Sequence, residues 1–474
     1  MKINTNMSAL IAANQLRKSD NKVAASLERL SSGYKINSAE DNPVGAAISQ
    51  KMKTQLKGLD RAIQNASDGI SVVDTADGAL QEVSSILQRM RELAVQGASD
   101  TYIPEDRVAL NNEIEALKEE VNRISKDTEF NTKGLINGEC AKKTFSNCVG
   151  MNVTYTSDTV DPGQYVLFVT EGTKSTYTAG ALPDSITKDG QISINGEIVR
   201  FTAGTDIETI TETLKEVAAR TQITYEPASS TDPSAGFTMI SNKPGTNFPI
   251  EITGDEELLA ELGLDGATYV PGKDAVVDFC DGYAGGSGFS NSASITTKGN
   301  VATIKGSDNF EMRVKIDEGA VNLALNGGTG TRAICVFTVL DTGTMTVQVG
   351  ANEDQEIDIE IPEVSTEAMD IDDVCLLSQK GCSNAITKLD EAISYLSAVR
   401  SKIGAYQNRM DHAVKSLGIT EENMTSSMSR ITDVDMAEEM TAYTSQNVIN
   451  QAAISMLSQA NQGPEKVLQL LNNM

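Results

Sequence analysis

Tryptophan is absent from this chain, histidine occurs once, and aromatics make up only 4% of its 474 residues. One histidine, His412, leaves little room for zinc sites or imidazole acid–base chemistry and excludes the H-E-x-x-H helix of metallopeptidases. His412 falls one turn from the apolar positions of a helix and reads as a surface or seam-edge residue. With so few rings, the core is expected to rest on helix seams of Leu, Ile, Val, Met and Ala. Basic residues are outnumbered 39 to 66, for a formal charge of −27. That argues against nucleic acid as a partner, because phosphate binding needs clustered Lys and Arg. No C-x-x-C pair occurs among Cys140, Cys148, Cys280, Cys335, Cys375 and Cys382, so zinc and thioredoxin-like readings are weak. In one helix, Cys375 and Cys382 would hold their Cα atoms about 10 Å apart, beyond the roughly 7 Å reach of a disulfide. Isolated thiols are expected. No stretch approaches a transmembrane helix, so no membrane partner is expected. MKINTNMSALIAANQLRK lacks the apolar region and cleavage pattern of a secretory signal, which taken alone points to the cytoplasm. GYAGGSG and GGTGT are glycine-rich but lack the lysine of a phosphate-binding loop. The acidic run ANEDQEIDIEIPEVSTEAMDIDD lacks the EF-hand register and reads as a solvated strand face. No catalytic residue, metal or cofactor is expected.

Periodicity supplies the positive signal. Pro43 is placed as a first helical residue, with Asp41 or Asn42 as its cap. Apolar residues then recur at Ile48, Met52, Leu56, Leu59, Ile63, Ala66, Ile70, Val73, Ala76, Leu80, Val83, Leu87, Met90 and Ala94. These alternating threes and fours describe a coiled-coil-like seam, and Pro104 is expected to end it. A second helix carries Leu110, Ile114, Leu117, Val121 and Ile124. A third appears only near the other end, carrying Ile386, Leu389, Ile393, Leu396, Val399, Ile403, Tyr406, Met410, Val414 and Leu417. One such helix cannot hide its seam alone, so the three should pack together and both chain ends should share one rod. Within SILQRMRELAVQ a second line, Arg89, Leu93 and Gln96, runs beside the stripe of Ile86, Leu87, Met90 and Ala94 and is not obviously core.

The extreme ends are poor in charge. Lys2 is the only charged side chain up to Leu16, and Glu465 and Lys466 the only ones from Thr441 to Met474. Helical spacing persists there, at Val23, Leu27 and Leu30 and at Ile449, Ala453, Met456, Ala460, Val467 and Leu470. Disordered tails are usually rich in charge, so these segments are expected to become buried with a partner. Between the helices, residues 140–344 are rich in Thr, Ser, Gly and β-formers. ISINGEIV carries the hairpin signal Asn195-Gly196. Thr205 to Glu208 makes a capping-box pattern before Ile207, Ile210, Leu214 and Val217, and GFTMIS and FPIEIT read as strands. MTVQVGANEDQEIDIEI then alternates with Met345, Val347, Val349, Ile357, Ile359 and Ile361 on one face. The fold class is α+β: a coiled-coil-like helical rod built from both chain ends plus a β-hairpin, with a mixed β-rich outer insert.

MKINTNMSALIAANQL, SLERLSSGYKINSAEDNPVGAAI, LQRMRELAVQGAS, NRISKDTEFNTKGLING, IGAYQNRMDHAV and QANQGPEKVLQLL, in this order at the two ends of the chain, resemble bacterial flagellin. Residues 190–263 resemble a small insert domain common in flagellins and hook-associated proteins. The resemblance implies a structural subunit, not an enzyme, that self-assembles into the flagellar filament for motility. It divides the chain into a filament-core segment 1–43, rod 44–139, surface-exposed insert 140–344, hairpin and rod 345–430, and filament-core segment 431–474. It also implies that Met7, Leu10, Leu27, Leu30, Ile449, Met456, Val467 and Leu470 pack in the filament core. Export is implied to run unfolded through the flagellum's type III route to the cell exterior, with an export chaperone, hook-associated proteins and cap proteins as partners.

The same resemblance gives the second line on the long helix two expected roles, contact between subunits and binding of vertebrate Toll-like receptor 5 to the free monomer. Arg89 and Leu93 match the family's residues in QRxRELAVQ, and Glu113 in NNEIEAL matches its Glu on the next helix. Gln88 and Gln96 complete the expected receptor-binding set. In familiar three- and four-domain flagellins the QVGAN hairpin precedes the outer insert; here the insert comes first and should enter at a different rim of the rod. A hook–filament junction protein is the nearest alternative, and the unbroken ERLSSG and QRxRELAVQ runs favour flagellin over it. The missing H-E-x-x-H removes the metallopeptidase type of flagellin insert.

Overall fold

The computed structural model describes residues 6–157, 159–228, 236–280, 288–290, 292–307, 310–317, 333–340 and 342–472. GGTGT, and GYAGGSG apart from Gly288, lie outside them. The helices are α1 (Met7–Ser32), α2 (Pro43–Gly97), α3 (Pro104–Asp127), α4 (Ile207–Arg220), α5 (Glu256–Glu261), α6 (Gln379–Thr432) and α7 (Met436–Asn472). The chain forms two bodies, one from 1–68, 348–356 and 410–474, the other from 69–347 and 357–409.

Local chemistry sets the helix ends. The Asn6 side chain accepts the Ala9 N–H at 3.1 Å to start α1, and left-handed Gly33 stops it while donating to Arg29 O at 2.8 Å. Of the two expected caps for α2, Asn42 is used, accepting the Gly45 N–H at 2.9 Å. Asp41 instead accepts the N–H groups of Ser38 and Asn37, which hold its carboxyl below the usual range. The expected end of α2 needs correction. It stops at Gly97, and Pro104 opens α3, where a missing N–H costs nothing. Arg107 finishes α2 by donating to the carbonyls of Gly97 (3.2 Å) and Ser99 (3.3 Å), acceptors that a helix end leaves open.

In the first body, α1 and α7 run antiparallel. Asn6 Nδ2 donates to Ala460 O at 2.9 Å and Ser19 Oγ to Gln446 O at 3.5 Å. Backbone bonds from Lys35 to Thr432 (2.6 Å) and from Val434 to Gly33 (3.0 Å) strap the exit of α1 to the α6–α7 turn. Each end segment therefore has the other as a partner. The hairpin tip lies on α2 at Gly58, where a Cβ would come within 2.9 Å of the Ala351 Cβ; only glycine permits that approach.

In the second body α2 and α6 are antiparallel, as three polar contacts demand: Gln407 to Asp74 (2.8 Å), Arg400 to Asp77 (2.9 Å) and Arg91 to Asp390 (2.6 Å). Val73, Ala76, Leu80, Val83, Leu87 and Met90 are buried on α2, and Leu389, Leu396, Val399 and Ile403 on α6. Each large apolar side chain so buried is worth about 1.5–3 kcal/mol. The expected seam loosens towards its start, where Ile48 is exposed and Met52, Leu56, Ile63 and Ile70 are half-buried. Residues 366–376 run along α3, held by Asn122 to Thr366 (2.9 Å), Lys118 Nζ to Asp372 O (2.9 Å) and the Leu376 N–H to Asn111 (2.8 Å).

The β-rich region of this body has two cores. Two four-stranded antiparallel sheets face each other in the first: Val276–Phe279, Gly163–Thr170, Ala333–Leu340 and Lys143–Ser146 against Ser294–Lys298, Val301–Lys305, Glu311–Ile316 and Met151–Thr156. Leu167, Val169, Ile304, Met312, Val314 and Phe337 fill the space between. The second core packs α4 through Ile210, Leu214 and Val217 with Ile192, Val199 and Phe237. Asn195 and Gly196 both take positive φ, 50° and 90°, in the expected hairpin between Gly190–Ile194 and Glu197–Phe201. GFTMIS lies in the strand Phe237–Pro244, whereas FPIEIT is extended only at its end, in Ile252–Gly254. The capping box does not form. The N-cap of α4 is Asp206, one residue too late for the pattern, and Thr205 Oγ1 donates to Thr202 O at 2.7 Å. The ends of the region meet: Lys143 N–H donates to Thr342 O at 3.0 Å, and a Cβ on Gly343 would strike Ala141 O.

Candidate functional site

On α1 and α7 the distribution of side chains is inverted relative to an ordinary helix pair. The residues buried on α1 are Ser19, 3% exposed, and Ser26. Leu16, Val23 and Leu457 are half-buried, but many large apolar side chains face solvent: Leu27 is 54% exposed and Met456 63%, and Met7, Leu10, Ile11, Ile449 and Ile454 are exposed with them. Leu30 is half-buried. The side chains of Val467 and Leu470 lie outside the described residues. A helix pair poor in charge towards the chain ends, with serines in its contact and leucines and methionines outward, carries apolar surface that a lone chain cannot cover.

The second candidate surface is built on α2 and α3. Arg89 Nε and Nη2 donate to Glu113 Oε1 at 3.0 and 2.8 Å, and Nη1 to Glu92 at 3.4 Å. The Glu113 bond raises the pKa of Arg89. Gln88 is exposed, and Gln96 donates to the Tyr102 hydroxyl at 2.8 Å. Arg89, Glu113, Gln88 and Gln96 thus present polar groups at the surface, with Tyr102 as a member that the residue pattern did not single out. The placement of Leu93 is corrected. It is 1% exposed and belongs to the core beside Met90 and Ala94, so it is not a solvent-facing anchor.

The acidic run is also not wholly solvated. Glu360 is buried and accepts from Lys402 Nζ at 3.3 Å. Asp373 accepts from Lys388 at 2.7 Å and from Lys243 at 3.1 Å. Burial would raise the Asp373 pKa, but the two ammonium groups outweigh it and hold the carboxyl below its usual value. Lys388 mirrors this: burial lowers its pKa, and Asp373 and Asp370 more than reverse the effect. Asp370, Asp372 and Asp373 bring carboxylate oxygens within 4.8 Å of one another, and Lys388 Nζ, bonded to Asp370 and Asp373, already supplies a cation there. The described thiols are free. Among the described residues no helix is long and apolar enough to cross a membrane.

Comparison with known proteins adds to this geometry. Residues 3–141 match the model of the bacterial flagellin N-terminal helical region, and residues 386–471 that of the bacterial flagellin C-terminal helical region. The chain is 31% identical over 469 residues to flagellin D of Vibrio anguillarum, covering 99% of each chain. It is 32% identical over 462 residues to a flagellin of Clostridium tyrobutyricum, covering 98% of this chain and 99% of that one. Among solved structures, the flagellar hook associated protein-3 of Legionella pneumophila aligns over 81% of this chain and 98% of its own. Its 11% identity and TM-score of 0.31 make that likeness too loose to bear on function.

Proposed function

This chain belongs to the bacterial flagellins, a family of structural filament proteins and not of enzymes, and from that premise we propose that its subunits polymerise through the outward apolar faces of α1 and α7. The observation that carries this is the exposure of Leu27 and Met456 on helices whose mutual contacts include the polar side chains of Asn6 and Ser19. Residues 1–43 and 431–474 are then the filament core, 44–139 and 345–430 the rod, and 140–344 the part exposed outside. Reaching that location requires export, which the flagellar type III route with an export chaperone would provide, and growth against cap and hook-associated proteins. Seeding the purified chain with sheared filament fragments tests it: electron microscopy should show long filaments. Short collars alone would support a hook–filament junction protein instead.

Excising the insert should leave this activity in place. Because Lys143 and Thr342 are hydrogen-bonded neighbours, a short linker between residues 138 and 343 can replace what lies between them. Filaments are expected from the shortened chain by the same seeded assay. A folded rod that no longer polymerises would show that the insert supplies contacts of its own.

The α2–α3 surface has a second proposed role, recognition of the free monomer by vertebrate Toll-like receptor 5. An Arg89–Glu113 pair with two N–H groups on one carboxylate oxygen, flanked by Gln88 and Gln96, is a compact polar anchor of the kind whose truncation commonly costs about 1–3 kcal/mol of binding. Being exposed, the pair contributes little to folding. Arg89→Ala and Glu113→Ala should therefore weaken binding to a soluble receptor ectodomain about tenfold or more with unchanged melting, and intact filaments should not bind. Parent-like affinity in both variants would leave the surface to subunit contact alone. Leu93→Ala is no test of recognition, since emptying a buried leucine site costs about 2–5 kcal/mol of stability.

A further inference from the structure

We propose that Cys148 and Cys335 are a disulfide-forming pair that locks the two facing four-stranded sheets of the first core as they fold. The strand register carries the proposal. Ser146 stands opposite Phe337 in an antiparallel ladder, so two steps outward bring residue 148 opposite residue 335. Asn147 continues the pairing between them, donating its N–H to Val336 O at 3.1 Å and accepting the Val336 N–H on Oδ1 at 2.8 Å. Directly opposed antiparallel residues have Cα atoms about 4.5–5.5 Å apart, inside the range of about 4.4–6.8 Å that a disulfide spans. Both side chains are buried, and their sulfurs are 2.9 Å apart, so closing to a bond of about 2.05 Å needs less than an ångström of movement. Cys148 Sγ also contacts Asn147 Oδ1 (3.2 Å) and Ile334 O (3.6 Å), and Cys335 Sγ contacts Met151 Sδ (3.0 Å). Cys140 and Cys382, by contrast, direct their thiols at the carbonyls of Gly134 and Leu376.

The oxidant is a small external disulfide. One cysteine thiolate attacks it and expels the first thiolate; the second cysteine attacks the resulting mixed disulfide and expels the other. Two electrons leave the cysteine sulfurs, the S–S bond of the oxidant is broken as that of the protein forms, and the two thiol protons end on the departing thiols. Burial and the adjacent Cys148 sulfur push the Cys335 thiol well above its ordinary value, so the folded sandwich offers little thiolate. The exchange consequently belongs to the folding chain, before the sheets close.

Refolding the reduced full-length chain from guanidinium in oxidised glutathione, then alkylating and mapping it by mass spectrometry, tests this. The expected product is a cross-linked peptide pair joining Cys148 to Cys335, two hydrogens lighter than the sum, with the other four cysteines alkylated. Because the bond ties residues 187 apart, the melting midpoint should rise by roughly 10 °C over a reduced control. That rise should vanish in Cys148→Ser and Cys335→Ala. Alkylation of all six cysteines, or either residue found with another partner, overturns the proposal; the map of the parent decides it even if a variant fails to fold.

Discussion

Exchanging both Leu27 and Met456 for aspartate should leave the subunit about as stable as before and stop it from polymerising. Both side chains are more than half exposed on α1 and α7, so their loss empties no core. The cost to the free chain is confined to helix propensity, a few tenths of a kcal/mol per site. In a filament the same positions are proposed to be buried. Each then forfeits about 1.5–3 kcal/mol of apolar burial, and an unpaired carboxylate in an apolar contact adds a further penalty. Even the lower values together correspond to more than a hundredfold rise in the subunit concentration needed for growth. Circular dichroism melts should superimpose on the parent, while seeded elongation should disappear at concentrations where the parent grows freely. A variant that elongates seeds at the parent's threshold would remove these faces from the assembly contact.

How far the residues disclosed this arrangement depends on the range of the interaction. The long helices, a cap at Asp41 or Asn42, the Asn195-Gly196 hairpin and the period-two face of Val347, Ile357, Ile359 and Ile361 rest on neighbours a few positions apart, and local residue patterns expose them. Leu93 is core although it lies off the single seam that the apolar spacing marks on α2. In the second body that helix meets both α3, through Arg89 and Glu113, and α6, through Arg91 and Asp390. Its buried arc is wide enough to take in the residue three past Met90. Pairings such as Arg91 with Asp390 or Cys148 with Cys335 join residues 299 and 187 positions apart, and no local pattern names the partner. The same holds for the two cores of the insert: alternation marks its strands without assigning them to sheets. The outward faces of α1 and α7 were legible for the opposite reason, since a scarcity of charge beside regular Leu, Ile and Met needs no partner to be seen.

The acidic run hides a position with a large expected effect on folding. Asp373→Asn should destabilise the second body by about 2 kcal/mol, because it takes the shared carboxylate from Lys388 and Lys243 in a largely buried site and leaves them the more exposed Asp370 and Asp372 as acidic partners. Asp373 joins three parts of that body: Lys243 extends from the strand Phe237–Pro244, Lys388 from α6, and Asp373 lies in the segment along α3. The sign of the pH dependence follows from the two shifts. The Asp373 pKa is lowered on folding, so its contribution is complete above the unfolded value near 4 and is lost as pH falls through the folded one. The Lys388 pKa is raised, so its contribution is complete below about 10.4 and is lost as pH rises through the folded value. The gap between parent and variant should therefore be level from about pH 4 to pH 10 and narrow on either side. Thermal melts at pH 7 should place Asp373→Asn several degrees below the parent, Lys388→Met should show a similar loss, and the double variant should lose less than the sum of the two. Additive losses, or a pH 7 gap below about 0.5 kcal/mol, would mean that packing around the segment and not the ion pair holds it to α6.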